Sequence, residues 1–150
     1  MLRLDEAGLG RVGAALAARL RPGDVVALSG ELGAGKTTLA RAILRALGHA
    51  GEVPSPTFAL VQPYPDLSPP VWHVDLYRLR TPEEADALGL EEALSAGALL
   101  IEWPERLGGR LWPEALRLVL AGAGGPVRTL TWEVPAAWIG RWPPAPEAAR

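Results

Sequence analysis

Hydrophobic positions along the chain alternate between a helical spacing and short continuous runs. After Asp5, apolar residues recur every three or four positions, at Leu9, Val12, Leu16 and Leu20. This spacing places them on one face of a helix that Asp5 would cap and that would end near Leu20. The turn Arg21–Asp24 then leads into Val25–Ser29, whose unbroken apolar run predicts a buried strand.

The rest of the chain continues this alternation of strands and helices. Further helices are predicted from Lys36 to Leu47, from Thr81 onward and from Leu90 to Ala96. Further strands are predicted over Phe58–Val61, Val71–Leu76 and Ala98–Glu102, with a closing hairpin over Leu116–Leu120 and Val127–Val134. Pro63–Pro70 is predicted to be a turn-rich connection. The pattern indicates an α/β protein whose last strands are antiparallel.

Length and composition limit the class of protein. The 150 residues fit a single domain, residues 1–150, with a loose tail at about 136–150. A formal net charge of −2 offers no electrostatic basis for tight nucleic-acid binding by this chain alone. The chain has no Cys, which excludes disulfides, and arginines interrupt the apolar residues before Leu20. We therefore expect neither a signal peptide nor a membrane span, and a cytoplasmic location.

A glycine-rich loop between the first predicted strand and the next helix matches the phosphate-binding P-loop. Gly30–Thr37 has the pattern Gly-x-x-x-x-Gly-Lys-Thr, in the strand-to-helix context that the motif requires. Lys36 would bridge the β- and γ-phosphates, Thr37 would coordinate Mg²⁺ through its hydroxyl, and Thr38 would bond the α-phosphate. The amides that cradle the phosphates would belong to Gly33, Ala34 and Gly35. The motif predicts a P-loop NTPase: a three-layer sandwich with a mixed, mostly parallel central sheet and helices on both faces.

The usage of basic residues draws attention to the same loop and favours ATP over GTP. The chain carries fourteen Arg and a single Lys, and that lysine is Lys36. A tight phosphate cradle has room for the compact ammonium of Lys but not for the planar guanidinium of Arg. The guanine-reading motif Asn-Lys-x-Asp is impossible, since the chain has no Asn and no second Lys.

Two carboxylates follow predicted strands, where a P-loop hydrolase needs an acid to hold Mg²⁺ or to orient the attacking water. Glu102 ends the apolar strand that begins at Ala98, and Asp75 follows Trp72-His73-Val74. Thr57 lies on the rigid loop Ser55-Pro56-Thr57, where it would either sense the γ-phosphate as a switch threonine does or cap a strand.

Four blocks of sequence together resemble the TsaE (YjeE) ATPase family. They follow one another in the order and at the spacing of that family: Gly30–Thr38, Ser55–Phe58, His73–Leu79 and Ile101–Glu105. The resemblance covers about residues 5 to 135 and assigns no role to residues 136–150. It implies a bacterial ATPase that acts with the partners TsaB and TsaD in making threonylcarbamoyladenosine (t6A) on tRNA.

The same resemblance implies roles for individual residues. Thr37 and Glu102 would be the Mg²⁺ ligands, and Asp75 would assist hydrolysis of ATP. Trp103 would lie beside the nucleotide or a partner, and a nucleotide contact near the N-terminus falls around Asp5 or Glu6. Hydrolysis would drive or reset the TsaB–TsaD complex, and tRNA would be reached only indirectly through it.

The residues leave two other functions open. A small-molecule or nucleotide kinase would need an acceptor pocket and usually an arginine-rich lid, yet no clustered arginines follow the middle of the chain. A nucleotide-dependent protein-binding module would use the same loop without needing to hydrolyse ATP. An ATPase assay with and without TsaB and TsaD distinguishes all three functions.

Several polar and aromatic residues have a structural interpretation beside the functional one. On an apolar strand, we expect His73 to be a hydrogen-bonded structural residue rather than a base. Arg78 and Arg80 would form a solvated end or a partner contact, and neither is an evident arginine finger. We therefore expect slow hydrolysis by the isolated chain. Packing is the expected role of Trp72, Trp112, Trp132, Trp138 and Trp142.

Overall fold

The computed structural model describes residues 1–54 and 60–143. Those residues form the strands β1 (Leu2–Leu4), β2 (Val25–Ser29), β3 (Val61–Tyr64), β4 (Val71–Asp75), β5 (Ala98–Glu102), β6 (Leu116–Ala121) and β7 (Arg128–Glu133). They also form the helices α1 (Glu6–Arg19), α2 (Lys36–Ala46) and α3 (Leu90–Ala96), and 3-10 helices at Pro82–Leu88, Pro104–Arg110 and Ala136–Trp138. The described strands make one sheet in the order β1-β7-β6-β2-β5-β4-β3, which confirms the predicted α/β class.

The sheet is mixed, with most of its described strands running in one direction. β6, β2, β5 and β4 are parallel neighbours. β7 pairs antiparallel with β6, and β3 pairs antiparallel with β4. β1 pairs antiparallel with β7 and therefore runs in the same direction as the four parallel strands. The antiparallel closing hairpin is therefore confirmed. The parallel strands β2, β5 and β4 end at the same edge of the sheet. There the P-loop follows β2, Glu102 is the last residue of β5 and Asp75 is the last residue of β4.

Alternate residues of the central strands enter separate cores on the two faces of the sheet. Val26 and Leu28 of β2 pack with Leu100 of β5 on the face that α1 and α2 cover. Val25 and Ala27 of β2 belong to the core on the opposite face, together with α3 and the 3-10 helices that begin at Pro82 and Pro104. Successive side chains of a strand point to opposite faces, so a strand covered on both sides is apolar throughout. Helices on both faces confirm the predicted three-layer arrangement.

The predicted helix starts are confirmed at two capping residues. Asp5 is the N-cap of α1, and its Oδ1 accepts a hydrogen bond of 2.8 Å from the amide of Gly8. Thr81 forms a capping box with Glu84 at the start of the 3-10 helix Pro82–Leu88. None of the described helices is both long and apolar enough to cross a membrane.

The strand predicted over Phe58–Val61 is displaced along the chain. β3 begins at Val61 and includes Pro63 and Tyr64. The turn-rich connection predicted over Pro63–Pro70 is therefore wrong for its first two residues. β3 is an edge strand of the described sheet, and proline is tolerated at an edge because one side of such a strand makes no ladder hydrogen bonds. Residues 58 and 59 lie outside the described residues.

Other elements carry no periodic signal and were not predicted. β1 has only the three residues Leu2–Leu4, and its partner β7 lies more than a hundred positions later in the chain. The 3-10 helix Pro104–Arg110 contains Gly108 and Gly109, which are poor helix formers.

The segment after β7 packs back onto the core. Trp138 and Trp142 are buried in the core on the α1 and α2 face, which confirms their packing role. Arg141 Nη2 lies 2.5 Å from Asp24 Oδ2, and its guanidinium stacks 3.9 Å from the centre of the Trp138 ring. Burial raises the pKa of Asp24, although Arg141 opposes this shift. The loose tail predicted at about 136–150 is therefore wrong over residues 136–142, because the two tryptophans and the ion pair of Arg141 hold this segment against the core. Residues 144–150 lie outside the described residues.

Candidate functional site

The P-loop joins the end of β2 to the start of α2 through glycines in backbone conformations that other residues rarely adopt. Gly30 has a φ of +147°, and a Cβ there would lie 2.4 Å from the carbonyl oxygen of Leu120 on β6. Gly35 has a φ of +106° and is the N-cap of α2, where it supplies no side-chain cap. The amides of the first turn of α2 are therefore available to an anion, which the helix dipole also favours.

The ammonium of Lys36 lies against the loop that carries it. Nζ donates to the carbonyl oxygen of Gly30 and, at 2.9 Å, to that of Glu31. It also lies 4.2 Å from the centre of the Trp103 ring. Burial lowers the pKa of Lys36, and nearby carboxylates, Glu102 foremost, partly offset this shift. The chain's only lysine is thus a buried cation at the phosphate loop.

Thr37 and Glu102, the predicted Mg²⁺ ligands, are in direct contact. The hydroxyl of Thr37 donates to Glu102 Oε1 at 2.8 Å. Glu102 pairs in register with Leu28, so the end of β5 lies beside the strand that leads into the P-loop. The second oxygen, Oε2, lies 2.6 Å from Nε2 of His73, whose ring is fully buried in β4. The hydrogen-bonded structural interpretation of His73 is consistent with this contact.

Asp75 and Trp103 flank Glu102 at the same edge of the sheet. Asp75 is the register partner of Glu102, is buried, and accepts a hydrogen bond of 2.9 Å from the amide of Tyr77 through Oδ1. Trp103 has a φ of +61°, which turns the chain sharply after β5. Its ring lies 4.9 Å from that of Tyr77, centre to centre. The two predicted residues therefore lie at the mouth of the P-loop.

These groups share one cleft of about 340 Å³. Its lining includes most residues predicted to bind the nucleotide: Gly33, Gly35, Lys36, Thr37, Thr38, Asp75, Glu102 and Trp103. The remaining predicted residue of the loop, Ala34, is buried. The cleft therefore places the predicted cation, hydroxyl and carboxylates around one space.

The predicted contact near the N-terminus lies to one side of this cleft. The carboxylate of Asp5 caps α1, whereas Glu6 lines an adjoining cleft of about 200 Å³ with Gly35, Thr38 and Arg128. Of the two residues that the resemblance offers, Glu6 is thus the one beside the P-loop. A nucleotide contact by Asp5 stays a prediction. The predicted switch residue Thr57 lies outside the described residues.

Arg128, at the start of β7, donates hydrogen bonds to the P-loop and was not identified from the sequence. Its Nε donates to the carbonyl oxygen of Ala34 at 3.1 Å, and its Nη1 donates to that of Gly125. The guanidinium also approaches the Gly33 carbonyl oxygen at 3.4 Å. One arginine among fourteen, in no recognisable motif, carries no sequence signal for this role.

A larger cleft of about 490 Å³ lies away from the P-loop, between α3 and the 3-10 helices. Its lining carries three acids, Asp86, Glu91 and Glu92, and one basic residue, Arg110, which pairs with Asp86. Carboxylates at these positions would repel a polyphosphate. The chemistry therefore favours the smaller cleft at Lys36 as the nucleotide site.

The oxygen donors at Thr37 and Glu102 fit a magnesium ion. A hydroxyl and a carboxylate are hard oxygen ligands of the kind that Mg²⁺ prefers. Among the described residues, no group of three His, Cys, Asp or Glu side chains could hold a metal by itself. Magnesium in nucleotide sites is bound through one or two protein oxygens, with substrate phosphates and water completing the shell. The sparse donor set thus suits a metal that would arrive with a nucleotide.

A family model described as threonylcarbamoyl adenosine biosynthesis protein TsaE matches residues 4–128. The chain belongs to the TsaE family. The matched region contains the whole P-loop, the carboxylates Asp75 and Glu102, and Arg128 as its last residue.

Curated TsaE proteins from distant bacteria are similar over most of this chain. The Streptomyces coelicolor protein is 42% identical over 135 residues, covering 87% of this chain and 91% of that protein. The Bacillus subtilis protein is 39% identical over 117 residues, covering 77% and 73% respectively. The Rickettsia felis protein is 44% identical over 106 residues, which make up 70% of this chain and 62% of the relative. This chain therefore matches about three fifths of the length of that relative.

A solved structure extends the likeness to three dimensions. The crystal structure of Bacillus subtilis YdiB superposes with a TM-score of 0.78 at 31% sequence identity, covering 93% of this chain and 88% of that one. The similarity confirms the predicted P-loop NTPase fold of this TsaE family member.

Proposed function

We propose that this chain is a Mg²⁺-dependent ATPase that serves as an accessory subunit in t6A modification of tRNA. The contact between Thr37 and Glu102, beside the buried ammonium of Lys36, carries the ATPase part of the proposal. The pathway is supported by the family description and by the names of the relatives, which refer to threonylcarbamoyladenosine biosynthesis. ATP hydrolysis and the partners TsaB and TsaD extend the proposal beyond those names.

Each group at the cleft has a distinct task in this proposal. The P-loop amides and Lys36 bind the β- and γ-phosphates and neutralise their charge. Thr37 and Glu102 hold Mg²⁺, which when bound supplies further positive charge at the phosphates. We assign the attacking water to Asp75, because Glu102 is assigned to Mg²⁺ and Asp75 is its register partner in the same cleft. Trp103 forms the wall of the cleft beside Lys36.

The isolated chain is expected to hydrolyse ATP slowly. Two arginines, Arg78 and Arg128, line the cleft, and Arg128 is engaged by the carbonyl oxygens of Ala34 and Gly125. An arginine supplied by a partner typically accelerates P-loop hydrolysis by about 10³–10⁵-fold. We therefore propose that TsaB and TsaD stimulate the reaction, and that hydrolysis drives or resets their complex in the cytoplasm.

Co-purification and product analysis test the proposal together. The chain, TsaB and TsaD are mixed with Mg²⁺ and ATP, and the complex and reaction products are then analysed by size-exclusion and ion-exchange chromatography. We expect a nucleotide-dependent complex with ADP and inorganic phosphate as products, both lost in Lys36→Ala. A phosphorylated small molecule in place of inorganic phosphate would indicate a kinase. Nucleotide-dependent assembly with no hydrolysis would indicate a binding module.

A further inference from the structure

His73 is one of only two histidines in the chain, and its Nε2 contacts the carboxylate of Glu102. In the parallel pair β4 and β5, Asp75 is the register partner of Glu102, and His73 is two residues before Asp75. Side chains two positions apart on a strand share a face. The register therefore directs His73, Asp75 and Glu102 to the side of the sheet where α2 begins.

The direction of the bond between His73 and Glu102 follows from the role assigned to Glu102. As a Mg²⁺ ligand, Glu102 would be ionised and could only accept hydrogen bonds, so Nε2 of the imidazole would donate in this 2.6 Å contact. The other ring nitrogen, Nδ1, is buried and makes no hydrogen bond in the described part of the structure. The polar contact of the ring is therefore with Glu102.

The position of Glu102 explains why such a donor is needed. Glu102 is 2% exposed, and a buried carboxylate without hydrogen bonds is strongly destabilising. His73 holds Oε2, and Thr37 holds Oε1 at 2.8 Å. Because His73 holds Oε2, Oε1 is directed at the first turn of α2. The carboxylate cannot rotate away from Thr37 without breaking its bond to His73.

We propose that His73 is a positioning residue that orients the Glu102 carboxylate for Mg²⁺. The proposal rests on the function proposed above, because it assumes that Thr37 and Glu102 are metal ligands. Hydrogen-bond partners of metal-binding side chains commonly change metal affinity by about 10–100-fold when they are removed. His73 contributes through Glu102 and does not touch the nucleotide.

The test measures the binding of ADP by isothermal titration calorimetry over a series of Mg²⁺ concentrations and in excess EDTA. His73→Leu removes the donor, whereas His73→Gln keeps an amide N–H close to the place of Nε2. His49→Gln is the matched control, since His49 is the other histidine and contacts the carbonyl oxygen of Glu52 away from the P-loop. Thermal melting of each variant reports its folding.

We expect His73→Leu to require about ten-fold more Mg²⁺ for tight ADP binding, with its affinity in EDTA within two-fold of wild type. His73→Gln should restore most of the Mg²⁺ response, and His49→Gln should match wild type. An unchanged Mg²⁺ requirement in a folded His73→Leu would overturn the proposal. Equal losses with Mg²⁺ and with EDTA would also overturn it, since they indicate a merely structural role.

Two further comparisons keep the outcome clear. If His73→Leu does not fold, His73→Gln is compared with His73→Asn, whose amide is one bond too short to reach Glu102. A weaker Mg²⁺ response in Asn than in Gln supports positioning, and equal responses contradict it. If wild-type protein binds ADP equally well with Mg²⁺ and with EDTA, the proposed Mg²⁺ site itself is wrong, and the role of His73 is wrong with it.

Discussion

The hydroxyl of Thr37 donates to Oε1 of Glu102 over 2.8 Å, which connects the first turn of α2 to the last residue of β5. The residues are 65 positions apart in the sequence, and parallel pairing of β2 with β5 brings them together. This contact unites the P-loop hydroxyl with the strand-end carboxylate that the motif requires for Mg²⁺. It also makes the hydroxyl, rather than the shape of Thr37, the feature to test.

Replacing Thr37 by Val or by Ser separates these two properties. Thr37→Val keeps the shape but removes the hydroxyl, so we expect ATP turnover to fall by roughly 10²-fold at saturating nucleotide, in line with losing one preorganised polar group. Thr37→Ser keeps the hydroxyl and should stay within a few-fold of wild type. Phosphate release at fixed Mg²⁺ measures both. Comparable turnover by the Val and Ser variants would show that Thr37 is not a Mg²⁺ ligand.

Lys36 tests whether the loop requires a compact cation. Because a charge-assisted hydrogen bond contributes about 1.5–3 kcal/mol, Lys36→Met should weaken ADP binding by roughly 10–100-fold. Lys36→Arg should also bind poorly, since the planar guanidinium needs more room than the buried ammonium occupies. Calorimetry with Mg²⁺ and ADP gives both affinities. Tight binding by Lys36→Arg would mean that charge alone is sufficient.

Arg128 tests whether hydrogen bonds from β7 hold the P-loop in the conformation that binds nucleotide. Arg128→Ala removes the donors to the carbonyl oxygens of Ala34 and Gly125, so we expect ADP affinity to fall by about ten-fold, equivalent to one net hydrogen bond to a charged group. Arg117→Ala is the control, because Arg117 is exposed on the same hairpin. Equal affinities of the two variants would remove Arg128 from the binding machinery.

The ion pair between Arg141 and Asp24 is expected to stabilise the packing of the C-terminal segment. Their side chains are only 12% and 10% exposed. Arg141→Ala therefore leaves a largely buried carboxylate without its ion-pair partner, held only by the amide of Arg21, and should lower the free energy of unfolding by roughly 3 kcal/mol. Arg110→Ala removes exposed contacts to Glu83 and Asp86 and should change it by less than about 1 kcal/mol. Urea unfolding at pH 7 compares the two variants.

The effect of Arg141→Ala should depend on pH. The pKa of Asp24 is raised above its ordinary value of 3.8, so its protonated form favours the folded state at low pH, and this contribution is lost as pH rises through the folded pKa. Removing Arg141 takes away a group that lowers this pKa, which raises it further. The stability difference from wild type should therefore be largest near pH 7 and shrink as pH falls toward 3.8. A constant difference would assign the effect to the lost stacking on Trp138.

Local signals predict most of the central fold and much of the cleft. The unbroken apolar runs identify β2 and β5 because strands covered on both faces are apolar throughout. The P-loop pattern identifies Lys36 and Thr37, since its glycines and its strand-to-helix context are both contiguous in sequence. Glu102 becomes recognisable because it ends such a run.

Contacts between distant segments could not be predicted. Arg128 reaches the P-loop only because β7 lies next to β6 and β6 next to β2, an order that no local pattern encodes. β1 exists through pairing with β7, and three residues are too few to show a period. The partnership of His73 with Glu102 likewise depends on the adjacency of β4 and β5. Pro63 was predicted to lie in a turn because proline is excluded from central strands, but it is tolerated in a strand at a sheet edge.

Phosphate release from ATP by the chain together with TsaB and TsaD tests the proposed ATPase most directly. We expect release with Mg²⁺ that exceeds the rate of the isolated chain and that disappears with EDTA or in Glu102→Gln. Glu102→Gln keeps the size of the side chain but removes the charge held between Thr37 and His73. Release that persists undiminished in Glu102→Gln, or no release with both partners and Mg²⁺ present, would contradict ATP hydrolysis at this site.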